Sequence, residues 1–180
     1  MPTIRAYRPA DEPSWLQCRL LSFFATDYYD DVKIGKTPLG PGSIELVAER
    51  DGEVVGILDV EIDGDAATID TLAVHPTAQR TGLAGALLNA ALAQLPPTVT
   101  TLDAWTREDA AANAWYVAAG FRETYRYLHV YVGDGDPTFP GPEGMSSPVI
   151  AFMHAPIERE VEVREAYRRV YVCRRFVRAV

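Results

Sequence analysis

The 180-residue sequence is short of cysteine, of lysine and of long apolar segments. Its two cysteines, Cys18 and Cys173, lie too far apart for a disulfide or metal framework, so we expect free thiols and no metal site. No stretch approaches the roughly 20 apolar residues of a membrane-spanning helix. The first residues lack the apolar segment of a signal peptide, and we therefore expect a cytoplasmic protein with no membrane partner.

Positive charge is also scarce. The chain has 17 Lys and Arg against 25 Asp and Glu, a formal net charge of −8. Nucleic-acid binding needs a basic surface to replace phosphate counterions, so we expect no nucleic-acid partner and give a charged tRNA acceptor the lowest rank. The acidic balance suits cationic small substrates, although a solubility role explains it equally well.

Hydrophobic periodicity predicts an α/β (α+β) fold. The turn Asp51-Gly52 between two apolar runs is a strong hairpin signal, which makes the early strands an antiparallel meander. A first helix is expected to begin at Ser14, and Gly120 stands where a left-handed C-cap ends a later one. The core is expected to have strands at 3–8, 44–49, 53–62, 66–74, 99–105 and 122–132 and helices after Ser14, after Pro76 and at 106–119.

Residues 133–180 form an extension to this core. A Gly/Pro-rich loop at 133–148 and an apolar run at 149–154 lead to a charged helix near 157–167 and a last strand at 169–177. Protection of an edge strand explains its arginines best, and an anionic partner is the alternative; they are Arg168, Arg169, Arg174, Arg175 and Arg178. We treat residues 1–180 as one domain with its core at about 3–132.

The segment 72–84 carries the most informative signal, a strand followed by a turn and a helix start. The helix begins with small residues, Gly82 and Ala84, and has no acid in its first turn. Its first amides lack partners, so they form an anion site that a phosphate can approach closely. No Gly-Lys-Ser/Thr and no G-x-G-x-x-G pattern is present there. A simple strand-to-helix turn relieved by Gly82 is the structural alternative.

Two motifs in this order resemble the GCN5-related N-acetyltransferases, the GNAT superfamily. QRTGLA at 79–84 is similar to the family's Q/R-x-x-G-x-G/A motif, and YVAAGF at 116–121 is similar to its Y-x-x-x-G-F motif. The order of elements also matches over about 3–132. The resemblance implies a mixed, mostly antiparallel central sheet flanked by helices and splayed at the strand before the CoA-binding helix.

The resemblance also implies acetyl transfer from acetyl-CoA to a primary amine by direct attack on the thioester, with no metal. The backbone of Leu72, Ala73 and Val74, at a β-bulge, would bind pantetheine and polarise the thioester carbonyl. Tyr116 would protonate the leaving thiolate, because a phenol is still protonated at neutral pH. The amides that would hold the pyrophosphate belong to Gln79, Arg80, Thr81, Gly82, Leu83 and Ala84.

The helix that carries Tyr116 departs from the family at one position. The family often has Asn seven residues before the Tyr, where this chain has Asp109, with Asn113 one turn later. The three residues share a helix face, so Asp109 and Asn113 are expected beside the cofactor. The alternative for Asp109 is helix capping, which the spacing from Thr106 favours.

The attacking amine must lose a proton, so a general base is expected. We choose Asp70, on the strand that enters the motif. Asp59, Glu61 and Asp103 on neighbouring strands stay as alternatives, although alternation predicts that Asp59 and Glu61 are solvated.

An acidic, aromatic patch lies where the family's variable first loop lines the acceptor site. Its carboxylates and rings suit a cationic amine, and a solvated helix end is an equally good interpretation. The patch residues proposed to contact substrate are Asp27, Tyr28, Tyr29 and Asp30. Trp105 and Trp115 are expected to pack rather than to bind.

The sequence thus predicts an acetyl-CoA-dependent N-acetyltransferase that acts on a small-molecule or peptide amine. The alternative is a non-catalytic acyl-CoA-binding sensor, which would keep the anion site without needing Tyr116. The identity of the acceptor and the oligomeric state, with a homodimer as one option, are left open.

Overall fold

The computed structural model describes residues 2–180 and shows a single eight-stranded sheet with helices against it. The helices are α1 (Glu12–Phe23), α2 (Leu83–Leu92), α3 (Ala110–Ala118) and α4 (Glu160–Ala166). The strands are β1 (Thr3–Ala6), β2 (Ile44–Arg50), β3 (Glu53–Asp63), β4 (Ala66–Val74), β5 (Thr101–Thr106), β6 (Arg122–Val132), β7 (Ala151–Ala155) and β8 (Arg169–Ala179). Their order in the sheet is β1-β2-β3-β4-β5-β8-β6-β7.

The predicted fold class is confirmed. Every neighbouring pair of strands in the described residues is antiparallel except β4 and β5, which are parallel. The Asp51-Gly52 turn has both residues at positive φ, 56° and 84°, as a type I′ hairpin requires. Gly120 follows α3 at φ 85°, the predicted left-handed cap.

The predicted start of the first helix is wrong. The helix α1 begins at Glu12, because Pro13 fits the first turn of a helix and extends it upstream of Ser14. The Ser14 hydroxyl instead donates to the Glu53 carboxylate at 2.9 Å and accepts the Val54 N–H at 2.8 Å. It therefore ties α1 to β3.

The prediction that the last strand is an edge is also wrong. The strand β8 lies inside the sheet between β5 and β6, with Cys173 buried. Its arginines pair with acids on the adjacent strands: Arg175 lies 2.6 Å from Asp103, and Arg174 lies 3.5 Å from Glu123. The charges that suggested an edge are thus neutralised across strands.

The sheet splays between β4 and β5. The two strands pair from Ala66–Thr101 to Ile69–Ala104, and there the pairing ends although β4 continues to Val74. The predicted splay before α2 is confirmed. Residues 71–74 stay paired with β3, and the other edge of residues 70–74 has no strand partner in the part of the chain described.

Helices cover the sheet with two separate apolar layers. Leu58, Leu87 and Leu102 belong to the larger cluster beneath α2. On the opposite face, Trp15 of α1 packs on Ile57 of β3. The helix α4 covers parts of β6 and β8 through a third cluster.

No helix within residues 2–180 has the length and apolar content needed to cross a bilayer.

The close approach of α2 to β3 depends on Gly56. A Cβ at this position would lie 3.1 Å from side-chain atoms of Leu83 and Leu87 and 3.3 Å from the Cβ of Ala48. We expect Gly56→Ala to lower the free energy of unfolding by about 1–3 kcal/mol, because the overpacked core must shift. Urea denaturation monitored by circular dichroism measures this change.

The matched control is Gly85→Ala in α2. No atom lies within 4 Å of a Cβ built there, so this variant gains helix propensity, up to about 1 kcal/mol, without a clash. Equal stability of the two variants would contradict the packing role of Gly56.

Candidate active site

The start of α2 presents a row of unpaired amides. Its first intrahelical bond runs from the Ala86 N–H to the Gly82 carbonyl at 3.0 Å, which leaves the N–H groups before Ala86 free. Gly82 caps the helix at φ 82°, offers no side chain, and no acid stands in the first turn. A Cβ built at position 82 or 85 would have no atom within 4 Å, so a ligand can approach the backbone there. The predicted anion site therefore has the right geometry, with the positive end of the helix dipole behind it.

The loop before α2 is held in an unusual conformation. Arg80 has φ 58°, a left-handed value that costs energy for a residue with a side chain. The Gln79 amide donates to the Val74 carbonyl at 3.1 Å, and the Thr81 hydroxyl donates to the Ala78 carbonyl at 2.7 Å. These two bonds fix the loop so that residues 79–82 remain exposed at the helix start.

The β-bulge of β4 lies at Asp70 rather than at the predicted 72–74. Asp59 of β3 pairs with Thr71, and the next residue, Val60, pairs with Ile69, so Asp70 is an extra residue. The bulge falls directly after the last residue paired with β5. It turns the strand away from β5 and so opens the splay.

Tyr116 is held beside the splay by other rings. It stacks on Phe176 at 5.5 Å between ring centroids and meets Phe121 edge-on at 5.3 Å. Phe176 of β8 pairs in register with Ala104, the residue at which β5 leaves β4. Burial, with the Tyr28 phenol nearby, raises the pKa of Tyr116 well above its usual value, so its proton stays on oxygen at neutral pH.

The two residues expected beside the cofactor, Asp109 and Asn113, make hydrogen bonds within the protein. The Asp109 carboxylate accepts the Ala112 N–H at 2.8 Å, so Asp109 caps a helix, as the alternative proposed. It is the N-cap itself rather than a partner of Thr106, and α3 begins at Ala110 instead of at the predicted residue 106, because Thr106 ends β5. The Asn113 amide donates to the Arg107 carbonyl at 3.1 Å, while its Oδ1 is buried with no partner in residues 2–180. Contact of either residue with a cofactor stays a prediction.

The acids near the bulge lie in different environments. Asp70 is exposed, and its carboxylate accepts the Thr71 hydroxyl at 2.9 Å. Asp59 is buried, which corrects the expectation that it is solvated, and it pairs with the Lys36 ammonium at 2.9 Å. Burial raises the pKa of Asp59 to about 6 against the opposing pull of Lys36. Asp103 is bound by Arg175 and Thr68.

Lys36 explains why Asp59 is buried. Its ammonium also pairs with Glu45 and lies over the rings of Tyr7 and Trp15, at 5.0 and 5.4 Å from their centroids. Lys36 therefore fastens the loop between α1 and β2 onto the sheet. No local sequence pattern linked these residues, because they come from five separate segments.

The acidic, aromatic patch is largely neutralised by arginines of the same chain. Asp30 pairs with Arg169 at 2.7 Å, and Arg169 lies 4.7 Å from the centre of the Tyr29 ring. Arg107 lies 4.1 Å from the centre of the Tyr28 ring. Among the four patch residues, Asp27 alone has a carboxylate without an arginine partner in the described chain, so binding of a cationic amine here stays a prediction that rests mainly on Asp27.

A family comparison now decides the class of protein. Residues 41–123, from the loop before β2 to the start of β6, match the family model described as an acetyltransferase (GNAT) domain. This range contains the splay, the bulge, the α2 amides and Tyr116. The chain carries a GNAT acetyltransferase domain. It is therefore an acyltransferase, as the two sequence motifs predict.

Relatives of this acetyltransferase agree with the assignment. Over 150 residues it is 29% identical to an aminoglycoside N(6′)-acetyltransferase type 1 from Stenotrophomonas maltophilia, covering 71% of this chain and 91% of the relative. Its fold is similar to that of the ribosomal-protein-S18-alanine N-acetyltransferase from Escherichia coli, with a TM-score of 0.61, 19% identity, and 100% and 94% of the two chains covered. A GNAT acetyltransferase from Elizabethkingia anophelis with acetyl-CoA bound gives a TM-score of 0.53 at 14% identity, over 97% and 96% of the chains.

One group of exposed rings in this acetyltransferase was not expected from its sequence. Trp105, expected to pack, is 40% exposed and lies in edge contact with Tyr125 and Tyr127 of β6. Alternation along β5 was the available signal, because Leu102 and Ala104 face the core and Trp105 must face the other way.

The raised pKa of Asp59 makes the stability of the acetyltransferase depend on pH. Between about pH 4 and 6 the folded protein keeps a proton on Asp59 that the unfolded chain has lost. The contribution of Asp59 to the free energy of unfolding should therefore fall by roughly 3 kcal/mol as the pH rises through this range, and Asp59→Asn should lack this contribution, so that its stability falls less, or rises more, with pH than that of the wild type. Urea titrations at a series of pH values test it.

The control is Glu61→Gln, an exposed carboxyl on the same strand, which should keep the wild-type slope. The same slope in Asp59→Asn would show that Asp59 does not hold the proton.

Proposed function

We propose that this protein transfers the acetyl group of acetyl-CoA to a primary amine. The observation that carries the proposal is the adjacency of three features: the free amides of α2, the unpaired edge of residues 70–74 and the protonated Tyr116. Solved GNAT relatives with CoA or acetyl-CoA bound support the choice of co-substrate.

The residues of the anion site fit the pyrophosphate of CoA. Position 82 has no side chain, position 85 has open space, and the exposed loop offers amides from residues 79–84. A bound diphosphate satisfies amides that otherwise need water. The free edge of β4 can pair with the amides of pantetheine as an added strand would, because residues 70–74 have no β5 partner and only the Val74 carbonyl accepts a side chain, that of Gln79.

The chain supplies a donor and an acceptor of protons for amine attack. The nitrogen lone pair forms the new bond to the thioester carbon, backbone N–H groups of β4 stabilise the oxyanion, and the carbon–sulfur bond then breaks. The Tyr116 hydroxyl gives its proton to the departing sulfur, and the exposed Asp70 carboxylate takes the proton that the amine releases. No covalent enzyme intermediate is needed.

The acceptor enters from the face opposite α2. Asp70 and Asp27 each carry a carboxylate that has no arginine partner in the described residues, and each attracts an ammonium group. The relative that acetylates aminoglycosides makes these amines the first acceptors to test. The alternative, a non-catalytic acyl-CoA sensor, predicts binding of acetyl-CoA without turnover of any amine.

Binding of acetyl-CoA should stabilise the protein. At about 100 times Kd the expected gain is roughly 2.7 kcal/mol, a rise in Tm of very roughly 5–10 °C. Gly82→Val should reduce this rise, because a branched side chain at φ 82° disturbs the loop and covers the amides. Differential scanning fluorimetry, with ATP and dephospho-CoA as controls, measures it.

An unchanged Tm with millimolar acetyl-CoA would remove both acetyltransferase and sensor from consideration.

Tyr116→Phe separates catalysis from binding. The variant keeps the ring stack on Phe176 and loses only the hydroxyl, so kcat should fall by about 100-fold or more while the acetyl-CoA-induced rise in Tm persists. Thiol release in the presence of kanamycin is the assay. Wild-type turnover in Tyr116→Phe would exclude the phenol as the acid.

A further inference from the structure

An open groove lined by aromatic rings lies on the sheet face opposite α2. We call it the aromatic groove; it has a volume of about 380 Å³ and is lined by Trp105, Tyr125, Tyr127, His154, Ala155 and Pro156. Its volume falls within the range of about 300–1,000 Å³ that small-molecule sites occupy. None of its lining residues is an Asp, Glu, Lys or Arg.

The rings of the groove are held in place by one another and remain accessible. Trp105 meets Tyr127 edge-on at 5.7 Å, and Tyr127 meets His154 edge-on at 4.6 Å. Trp105 is 40% exposed and Tyr125 is 56% exposed. Exposed large rings gathered in one concave place mark a binding site more often than rings scattered singly. The groove is therefore a preformed stacking surface.

The groove adjoins the splay. Trp105 directly follows Ala104, the last residue of β5 that pairs with β4. Asp103, one residue before Ala104, is bound to Thr68 of β4 and to Arg175 of β8. Because Asp103 neutralises Arg175, the guanidinium beside Trp105 does not repel a cationic ligand.

We propose that the aromatic groove binds a ring of the acceptor, and hence that the acceptor is a ring-bearing primary amine. This inference rests on the proposed function, which places the reacting amine at the splay. An amino-sugar ring packs its C–H face on Trp and Tyr, and an aromatic ring stacks on them, so the two share the same requirement for a flat apolar wall. A linear polyamine has no ring to place there.

Trp105 provides a binding signal that does not require turnover. Of the three tryptophans, Trp15 is buried and Trp115 packs against the core, so Trp105 is the one most open to a ligand. Kanamycin and benzylamine should change the tryptophan emission saturably, and spermidine at equal concentration should not. Trp105→Phe, which keeps a ring but removes the reporter, should abolish the change.

Two further variants test the groove by affinity. Tyr125→Ala should raise Kd and KM for the ring-bearing amine by roughly fivefold, leaving KM for acetyl-CoA unchanged. Phe24→Ala removes a ring that is 73% exposed at the end of α1 and outside the groove, and it should change neither constant. Circular dichroism of each variant establishes that it is folded.

The outcomes separate the two proposals. Equal fluorescence responses to kanamycin, benzylamine and spermidine, or an unchanged Kd in Tyr125→Ala, overturn the groove assignment even when acetyl transfer proceeds. Groove binding of ring-bearing amines without thiol release overturns the assignment of the groove to the acceptor, because the bound amine is then not a substrate. A response to kanamycin alone identifies an amino sugar, and a response to benzylamine alone identifies an aromatic amine.

Discussion

Backbone N–H and C=O groups of a sheet need partners, and β4 and β5 cease to provide them for each other after Ile69 and Ala104. The bulge at Asp70 causes this separation, because an extra residue on β4 adds twist and bends the strand away. The exposed edge, the free amides of α2 and the ring of Tyr116 all meet this opening. Each part of the proposed site therefore depends on one irregularity in strand pairing.

Charge is distributed within the molecule very differently from what its net value of −8 suggests. Arg107, directly after β5, and Arg169, at the start of β8, reach back to the loop after α1, where Arg169 binds Asp30 and Arg107 lies against Tyr28. Lys36 occupies a buried position between Glu45 and Asp59. Most acids near the opening therefore form ion pairs with lysine or arginine side chains of the protein itself. Asp70 stays exposed, as its proposed role as general base requires.

Local signals were sufficient for much of the fold. The limits of β4 and β6 agree with the predicted 66–74 and 122–132, because alternation, turn residues and glycine caps act over a few residues. The start of α1 was misplaced since Ser14 bonds to β3, a partner distant in sequence. The position of β8 was misjudged for the same reason: Arg175 is a cross-strand partner of Asp103, and its pairing is visible only once the strands are adjacent.

The sequence alone identified the GNAT class, because two short motifs, QRTGLA at 79–84 and YVAAGF at 116–121, resemble those of the family and occur in the same order. Only the tertiary structure decided which acids are free, where β4 bulges and that Trp105 opens into an aromatic groove. These properties depend on strand register and on contacts between residues as far apart as Asp30 and Arg169. Burial and pairing are set by neighbours in space, which a linear pattern does not contain.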